Sequence, residues 1–252
     1  MPKISFVMPT KNRDHIIKNS IQSLIDQTEK DWELIIVDDH SDENDKTKEV
    51  ATTFADRRIK YYRIPKSWPK GIASARNFGN ELATAPIIAP ADSDDINLPD
   101  RAKLILESFS KEKWDVFYAD YDYYFDKTKK YEDRVNPIKD FDLELYKKFN
   151  FIPHPTSAYR RELALEYPYN SFFIVAEDYD FFSRLAEAGK KFYFCNKKVL
   201  HYVIHEKNIS GGKKLEPVYD DLIHLNRDWK DGDRAEIIKR ITDYYGDRNE
   251  KS

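Results

Sequence analysis

Ile87-Ile88-Ala89-Pro90-Ala91-Asp92-Ser93-Asp94-Asp95 is the stretch whose reading decides the rest of the chain. An apolar run ends abruptly in a cluster of carboxylates. The run has the length and composition of a buried strand, and the carboxylates mark its exposed end. Aspartate is depleted in strands and costly to bury without a partner. Crowded carboxylates also repel one another, so a divalent cation is a natural companion. Asp-x-Asp offers hard oxygen ligands, which suit Mg or Mn rather than Zn. The same residues also suit a plain turn, because Leu98-Pro99-Asp100-Arg101 follows as a helix entry. The neighbouring segments decide between the two.

Upstream, the pattern repeats. Ile4 to Met8 is an apolar run that Pro9 is expected to end, since proline cannot continue a central ladder. The polar turn Thr10-Lys11-Asn12-Arg13-Asp14 follows. Ile17, Ile21, Leu24 and Ile25 then recur at helical spacing, with Asn12 or Asp14 as the expected cap. Leu34 to Val37 is a second apolar run, and it ends in Asp38-Asp39-His40-Ser41-Asp42. A helix over about Asp45 to Phe54 comes next. Arg58 to Ile64 has a period of two and polar flanks, as an outer strand would. Gly71 to Ala83 reads as a helix through Ile72, Ala75, Phe78 and Leu82. Alternating strands and helices predict an α/β fold with a mostly parallel sheet covered on both faces. Such sheets bind ligands beyond the carboxyl ends of their strands. The polar clusters at Thr10–Asp14, Asp38–Asp42 and Asp92–Asp95 would then converge on one edge.

The chain has 252 residues, 40% hydrophobic and 35% charged, with 42 basic against 45 acidic side chains and a net charge of −3. Nothing in that balance points to nucleic acid. Cys195 is the single cysteine, which leaves no intrachain disulfide and fits a reducing cytoplasm. No apolar stretch approaches the roughly 20 residues that span a bilayer. Met1-Pro2-Lys3 runs straight into a strand-like segment, so no signal peptide is expected. A lipid-linked substrate would have to be met from the water side. Neither G-x-G-x-x-G nor G-x-x-x-x-G-K-[ST] occurs, so a metal on the Asp cluster, rather than a glycine cradle, would hold a diphosphate.

Six segments, in order, resemble family 2 glycosyltransferases of the GT-A fold. They are Ser5 to Arg13, Ser23-Leu24-Ile25-Asp26-Gln27-Thr28, Glu33 to Ser41, Gly71-Ile72-Ala73-Ser74-Ala75-Arg76-Asn77, Asp92-Ser93-Asp94-Asp95 and Ala176-Glu177-Asp178-Tyr179-Asp180. The resemblance covers roughly residues 3 to 210. It implies a nucleotide-binding half over 1–95 and an acceptor half over 96–212, within one domain. It also implies a metal-dependent, inverting sugar transfer from a nucleotide-diphospho-sugar, most often a UDP-sugar, to a carbohydrate, lipid-linked or protein acceptor. By the same resemblance, Pro9, Thr10, Asn12 and Arg13 belong to the donor pocket and Asp39 accepts a hydrogen bond from the base. Gly71, Arg76, Asp92, Ser93 and Asp94 belong to the donor site, with Arg76 near the diphosphate or supporting the Asp cluster. Asp94 ligates Mn or Mg with help from Asp92 and His205, and Asp178 is the base. The bland readings remain open: Asp39 as a turn cap, Arg76 as a surface ion pair, Glu177-Asp178 as a charge pair at a helix start.

The second half is read more coarsely. Phe117, Ala119, Tyr121, Tyr123 and Phe125 alternate along one strand, and Asp126 to Lys130 turns it into a hairpin through Tyr131. Phe141 to Phe149 is a short helix. His154, between Pro153 and Pro155, is expected in an extended loop, either within a segment that lines the acceptor side or as a plain surface-loop histidine. Val199 to His205 is a strand with His201 and His205 on one face. Gly211-Gly212 suggests a mobile flap. Residues 213–252 read as two amphipathic helices whose default role is packing or homo-oligomer formation. Two rivals stay in view: a non-catalytic nucleotide-sugar-binding module, and a sugar nucleotidyltransferase, whose glycine-rich loop is missing at Lys11-Asn12-Arg13.

Overall fold

Apolar side chains alternate along each central strand, and both sets are buried. Val7, Ile35, Val37 and Ile88 point to one face of the sheet, while Phe6, Met8, Leu34, Ile36 and Ala89 point to the other. A strand covered on both sides must be apolar at every position, which is why these runs are continuous rather than alternating. The computed structural model describes residues 1–134, 138, 140–148, 150–171, 173 and 176–205. Its strands are β1 (Ile4–Thr10), β2 (Trp32–Asp38), β3 (Ile59–Arg63), β4 (Ile87–Pro90), β5 (Ile96–Asn97), β6 (Val116–Phe125), β7 (Lys130–Glu132), β8 (Ala158–Arg160) and β9 (Phe192–Ile204). The helices are α1 (Ile17–Ile25), α2 (Thr47–Thr52), α3 (Ile72–Leu82), α4 (Arg101–Lys111), α5 (Leu143–Tyr146), α6 (Arg161–Glu166) and α7 (Glu177–Glu187).

One mixed sheet runs β3-β2-β1-β4-β8-β6-β9-β5, with β7 paired to β6. The β3-β2-β1-β4 half is parallel. Strand β8 runs against β4 and β6, and β9 lies parallel to β6. One face packs against α3, α6 and α7, the other against α1, α2 and α4. Helix α3 lies very close to the sheet: a Cβ at Gly79 would run into the Val7 side chain and come within 3.1 Å of Val37 Cγ2.

Several expectations are corrected. Strand β1 does not end at Pro9, which pairs with Val37 inside the ladder. The Val7 carbonyl accepts from Ala91 N on the β4 side, and Pro9, two residues on, faces the same way. The β4 ladder stops at Val7↔Pro90, so the missing proline N–H removes no ladder bond. Helix α1 carries no side-chain cap from Asn12 or Asp14. Helix α2 is shorter than expected, because the Asp45 carboxylate accepts from Thr47 N at 2.8 Å and marks its entrance. The first half of β6 is buried on both faces, with Tyr118 in one core layer and Phe117 in the other. His154 is neither extended nor exposed: it opens a 3-10 turn, is 5% exposed, and its Nε2 lies 2.8 Å from the Tyr169 hydroxyl. Residues 206–252, including Gly211-Gly212 and the two expected C-terminal helices, lie outside the described residues.

Glu33 fastens the sheet edge opposite the polar clusters. It is 3% exposed and accepts from Ser5 Oγ, Thr84 N and Thr84 Oγ1, each at 2.7 Å, and from Lys60 Nζ at 2.8 Å. Burial alone would raise its pKa, but these hydrogen bonds win and hold it at about 2. A depressed carboxylate pKa stabilises the fold above the unfolded value and loses that effect as pH falls through the folded one. Glu33→Gln should therefore lower stability by about 2–3 kcal/mol at pH 7. Thermal unfolding of both forms should give a gap that closes between roughly pH 5 and pH 2. A gap independent of pH would assign the loss to packing.

Candidate active site

The carboxyl ends of β1, β2 and β4 open on one edge because Thr10 is in register with Asp38, and Val7 with Pro90. Their loops fasten to one another. Asn12, at φ 53°, exchanges two hydrogen bonds with Asp42: Nδ2 donates to Oδ2 at 2.9 Å, and Asp42 N donates to Oδ1 at 2.8 Å. Asn12 N donates to Ser41 Oγ, whose hydroxyl donates to Asp38 Oδ1. Asn12 is thus the latch between the first two loops. The Thr10 hydroxyl oxygen is buried at this edge without a hydrogen-bond partner among the described residues.

Asp39 is 8% exposed. Its Oδ2 accepts from Gly71 N at 2.9 Å, and its Oδ1 lies 3.3 Å from His40 Nδ1. Gly71 sits at φ 115°, a conformation open to glycine and strained for other residues, and starts α3 against the β2 loop. Helix α3 in turn carries Arg76 and Asn77.

The acidic loop is held from behind and from β9. Asp92 and Asp94 are half-buried; Ser93 and Asp95 are buried. Asp95 Oδ1 accepts from Val203 N at 2.9 Å, and β5 pairs Ile96 with His201 and Asn97 with Leu200. Those bonds bring His205, just past β9, to the loop, where its Nε2 lies 3.1 Å from Asp94 Oδ2. Arg13 Nη2 is 3.9 Å from the same oxygen. His201 does not join; its ring lies tilted against that of Tyr131, with centroids 4.7 Å apart. Behind the loop, Arg101 is 1% exposed and donates to the Pro90 carbonyl at 2.7 Å, the Ser157 carbonyl at 3.2 Å and the Asn97 side-chain oxygen. Burial holds Arg101 down at about 10, and burial pushes Asp92 and Asp95 up, Asp95 strongly. Asp95 was legible only as the last carboxylate of the Asp92-Ser93-Asp94-Asp95 motif, and Arg101 was not legible as a site residue; the Leu98-Pro99-Asp100-Arg101 signal spoke only of a helix start.

Arg76 joins this loop to the start of α7. It is 4% exposed; Nη1 pairs with Glu177 Oε1 and Nη2 lies 3.4 Å from Asp92 Oδ1. Arg76 does pair with carboxylates, as its plainer reading had it, but the guanidinium is buried and not at the surface. Its neighbour Asn77 makes a reciprocal pair with Tyr169, donating Nδ2 to the carbonyl and accepting from the amide, both at 2.8 Å. The Arg76 guanidinium sits 5.7 Å from the Tyr169 ring. Glu177 is buried and Asp178 is half-buried. Burial raises both; Arg76 opposes the rise, and Glu177 settles at about 7 with the Asp178 charge adding to the effect. Ala176, at φ 60°, turns the chain into α7 so that both carboxylates occupy its first turn.

The expected site residues thus fall at the carboxyl ends of β1, β2 and β4, near the starts of α3 and α7, and just past β9. Asp39 reaches α3 through Gly71, α3 reaches Asp92 and Glu177 through Arg76, and Asp94 meets His205 and Arg13. Residues 5–167 match the family model described as Glycosyl transferase family 2. The chain belongs to this family. Glu177 and Asp178 lie beyond the matched stretch. Among curated relatives, the glucosyltransferase WfgD of Escherichia coli, named for transfer from UDP-Glc to α-D-GlcNAc-diphosphoundecaprenol, is 34% identical over 119 residues. That match covers 47% of this chain and 46% of WfgD, so the similar stretch spans about half of that relative. The putative colanic acid biosynthesis glycosyl transferase WcaA of E. coli K12 is 28% identical over 99% of this chain and 90% of its own length.

Solved structures agree on the fold. TarS residues 1–349 of S. aureus, in complex with UDP-GlcNAc, superposes with a TM-score of 0.67 at 18% identity, over 94% of this chain and 70% of that one. A mannosyltransferase of Pyrobaculum calidifontis, in complex with GDP-Man and Mn2+, gives 0.66 at 14% identity, over 94% and 68%. This family 2 chain has the GT-A fold. No helix among its described residues is long and apolar enough to cross a membrane.

Of the three residues expected to ligate a cation, Asp94 and His205 converge and Asp92 is turned onto Arg76. No group of three or more His, Cys, Asp or Glu side chains arranged for a metal occurs among the described residues. One imidazole and one carboxylate still fit Mn or Mg when diphosphate oxygens complete the shell, since such ions are commonly shared between protein and phosphate ligands.

Proposed function

We propose that this chain transfers a sugar from a nucleotide-diphospho-sugar, in the first instance a UDP-sugar, to an acceptor hydroxyl with inversion at the anomeric carbon. One observation carries the reading: a single buried guanidinium, Arg76, touches both the acidic loop expected to face the donor and the carboxylate pair expected to face the acceptor. Asp178, the more accessible of that pair, takes the proton from the attacking hydroxyl. The new bond forms at the anomeric carbon as the bond to the diphosphate oxygen breaks on the opposite side. Asp39 and the β1 loop orient the base and ribose. Asp94 and His205 would hold the divalent cation, which when bound neutralises the charge of the leaving diphosphate. The acceptor follows the relatives: a lipid-linked or polymeric glycan met from the water side, as the names of WfgD and of a poly(ribitol-phosphate) transferase of Staphylococcus aureus suggest.

A screen of nucleotide sugars read by nucleoside diphosphate release, with Mn or Mg and with chelator, tests this directly. Release from none of them in the presence of a glycan acceptor panel would leave the binding-module rival. Asp94→Asn should lower turnover by about 10²–10³-fold. It should also weaken Mn2+ binding in the presence of UDP, read separately by electron paramagnetic resonance. Unchanged turnover together with unchanged Mn2+ affinity would remove Asp94 from the cation site.

A further inference from the structure

We propose that Asn150 is a positioning residue for Asp178, and that a Tyr146–Asn150–Asp178 hydrogen-bond chain fixes which way the amide points. This rests on Asp178 being the base. Asn150 Nδ2 lies 3.4 Å from Asp178 Oδ2, and the Tyr146 hydroxyl donates to Asn150 Oδ1 at 3.0 Å. Because the tyrosine occupies the amide oxygen, the NH2 group faces the carboxylate. The flipped amide would set two acceptors face to face across that gap.

The chain is anchored at its far end. Tyr146 is fully buried, ends α5, and packs its ring 5.1 Å from those of Phe151 and Tyr179. Asp142 caps α5 by accepting from Leu145 N at 2.7 Å. The Tyr179 hydroxyl donates to the carbonyls of Tyr146 at 3.0 Å and Lys147 at 3.2 Å. Two consecutive residues of α7, Asp178 and Tyr179, are therefore tied to Asn150 and to the end of α5 at Tyr146 and Lys147, one by side-chain amide and one by hydroxyl. The other Asp178 oxygen accepts from Tyr179 N at 2.9 Å. With both oxygens engaged, the carboxylate cannot turn freely, and a lone pair is presented in a set direction to the acceptor hydroxyl.

The amide also acts on the base electrostatically. The ionisable groups facing Asp178 are Arg76 on α3, which favours its charged form, and Glu177 beside it on α7. Burial opposes ionisation, and donation from Asn150 offsets part of that cost. Losing the donor raises the base pKa, so the active, deprotonated form appears only at higher pH.

The test is the pH profile of kcat for Asn150→Ala, Asn150→Asp and Tyr146→Phe, with UDP and Mn2+ affinity measured alongside. For Asn150→Ala the acid limb should move up by about one pH unit, with most of the activity regained on the alkaline side. Asn150→Asp, which sets a second carboxylate against Asp178, should move it further, and Tyr146→Phe less, in the same direction. Nucleotide and Mn2+ affinity should stay the same. A uniform loss at every pH, or unshifted limbs in Asn150→Ala and Asn150→Asp, would overturn the proposal; Tyr146→Phe removes one hydroxyl and guards against a folding defect. If Asp178→Asn itself keeps full activity, the base assignment and this inference fall together, whereas an inactive Asp178→Asn with unshifted Asn150 variants sinks this inference alone.

Discussion

Asp178→Asn lowers turnover by about 10²–10⁴-fold, the share of a reaction that a positioned general base supplies, while nucleotide and Mn2+ affinities change little. The substitution keeps the shape of the side chain and removes its capacity to take a proton. It leaves the Arg76–Glu177 pair and the Asp94–His205 pair untouched, since neither uses Asp178. The protein should not lose stability. Burial raises the folded pKa of Asp178, so its contribution is favourable below the unfolded value and is lost as pH rises through the folded one. A neutral amide escapes that loss, so the melting temperature at pH 7–8 should stay level or rise, as often happens when a strained functional group is removed. Rates of nucleotide release, calorimetric affinities and melting curves on the same samples separate the effects. Full activity in both Asp178→Asn and Asp178→Ala would remove the base; a turnover loss matched by lost nucleotide affinity would make Asp178 structural.

What could be seen in the sequence was what local pattern encodes. β1, β2 and β4 were legible because strands buried on both faces are written as unbroken apolar runs, and their polar ends predicted one shared edge. The partners of the site residues were not legible from local pattern, because they come from far along the chain; only the resemblance set His205 beside Asp94 and Arg76 beside the Asp cluster. Asp94 and His205 are 111 residues apart, Arg76 and Glu177 are 101, and Asp95 and Val203 are 108. No period or cap signal spans such separations. Motif order alone brought Glu177 near the site, and nothing marked Arg101. His154 was misjudged for a related reason. Flanking prolines report backbone preference, whereas burial was decided by Tyr169 and Phe182, which close over the ring at centroid distances of 5.8 and 5.9 Å. The latch role of Asn12 was not legible either, because its partners Ser41 and Asp42 lie in another strand's loop.

Arg76→Met should destabilise the protein by about 3–5 kcal/mol, the usual cost of stranding a buried charge by removing its partner. Methionine fills much of the same volume, so the loss reports charge rather than a cavity. Glu177 and Asp92 would both lose a guanidinium held within a buried site. The effect must depend on pH, and its sign is fixed. In the wild type, Glu177 titrates at about 7, above its unfolded value, so it already favours the fold at low pH and disfavours it as pH rises past 7. Without Arg76, its carboxyl holds its proton to still higher pH. The variant's native state then binds more protons than the wild type's in that window, and its relative stability falls with pH. The melting-temperature gap should be small near pH 5 and widest near pH 8. Arg76→Lys should recover only part of it, because one ammonium cannot match a fork that reaches two carboxylates at once. An equal gap at pH 5 and pH 8 would mean that Arg76 is held for its packing against Tyr169, and that the acidic loop and α7 are not coupled through charge.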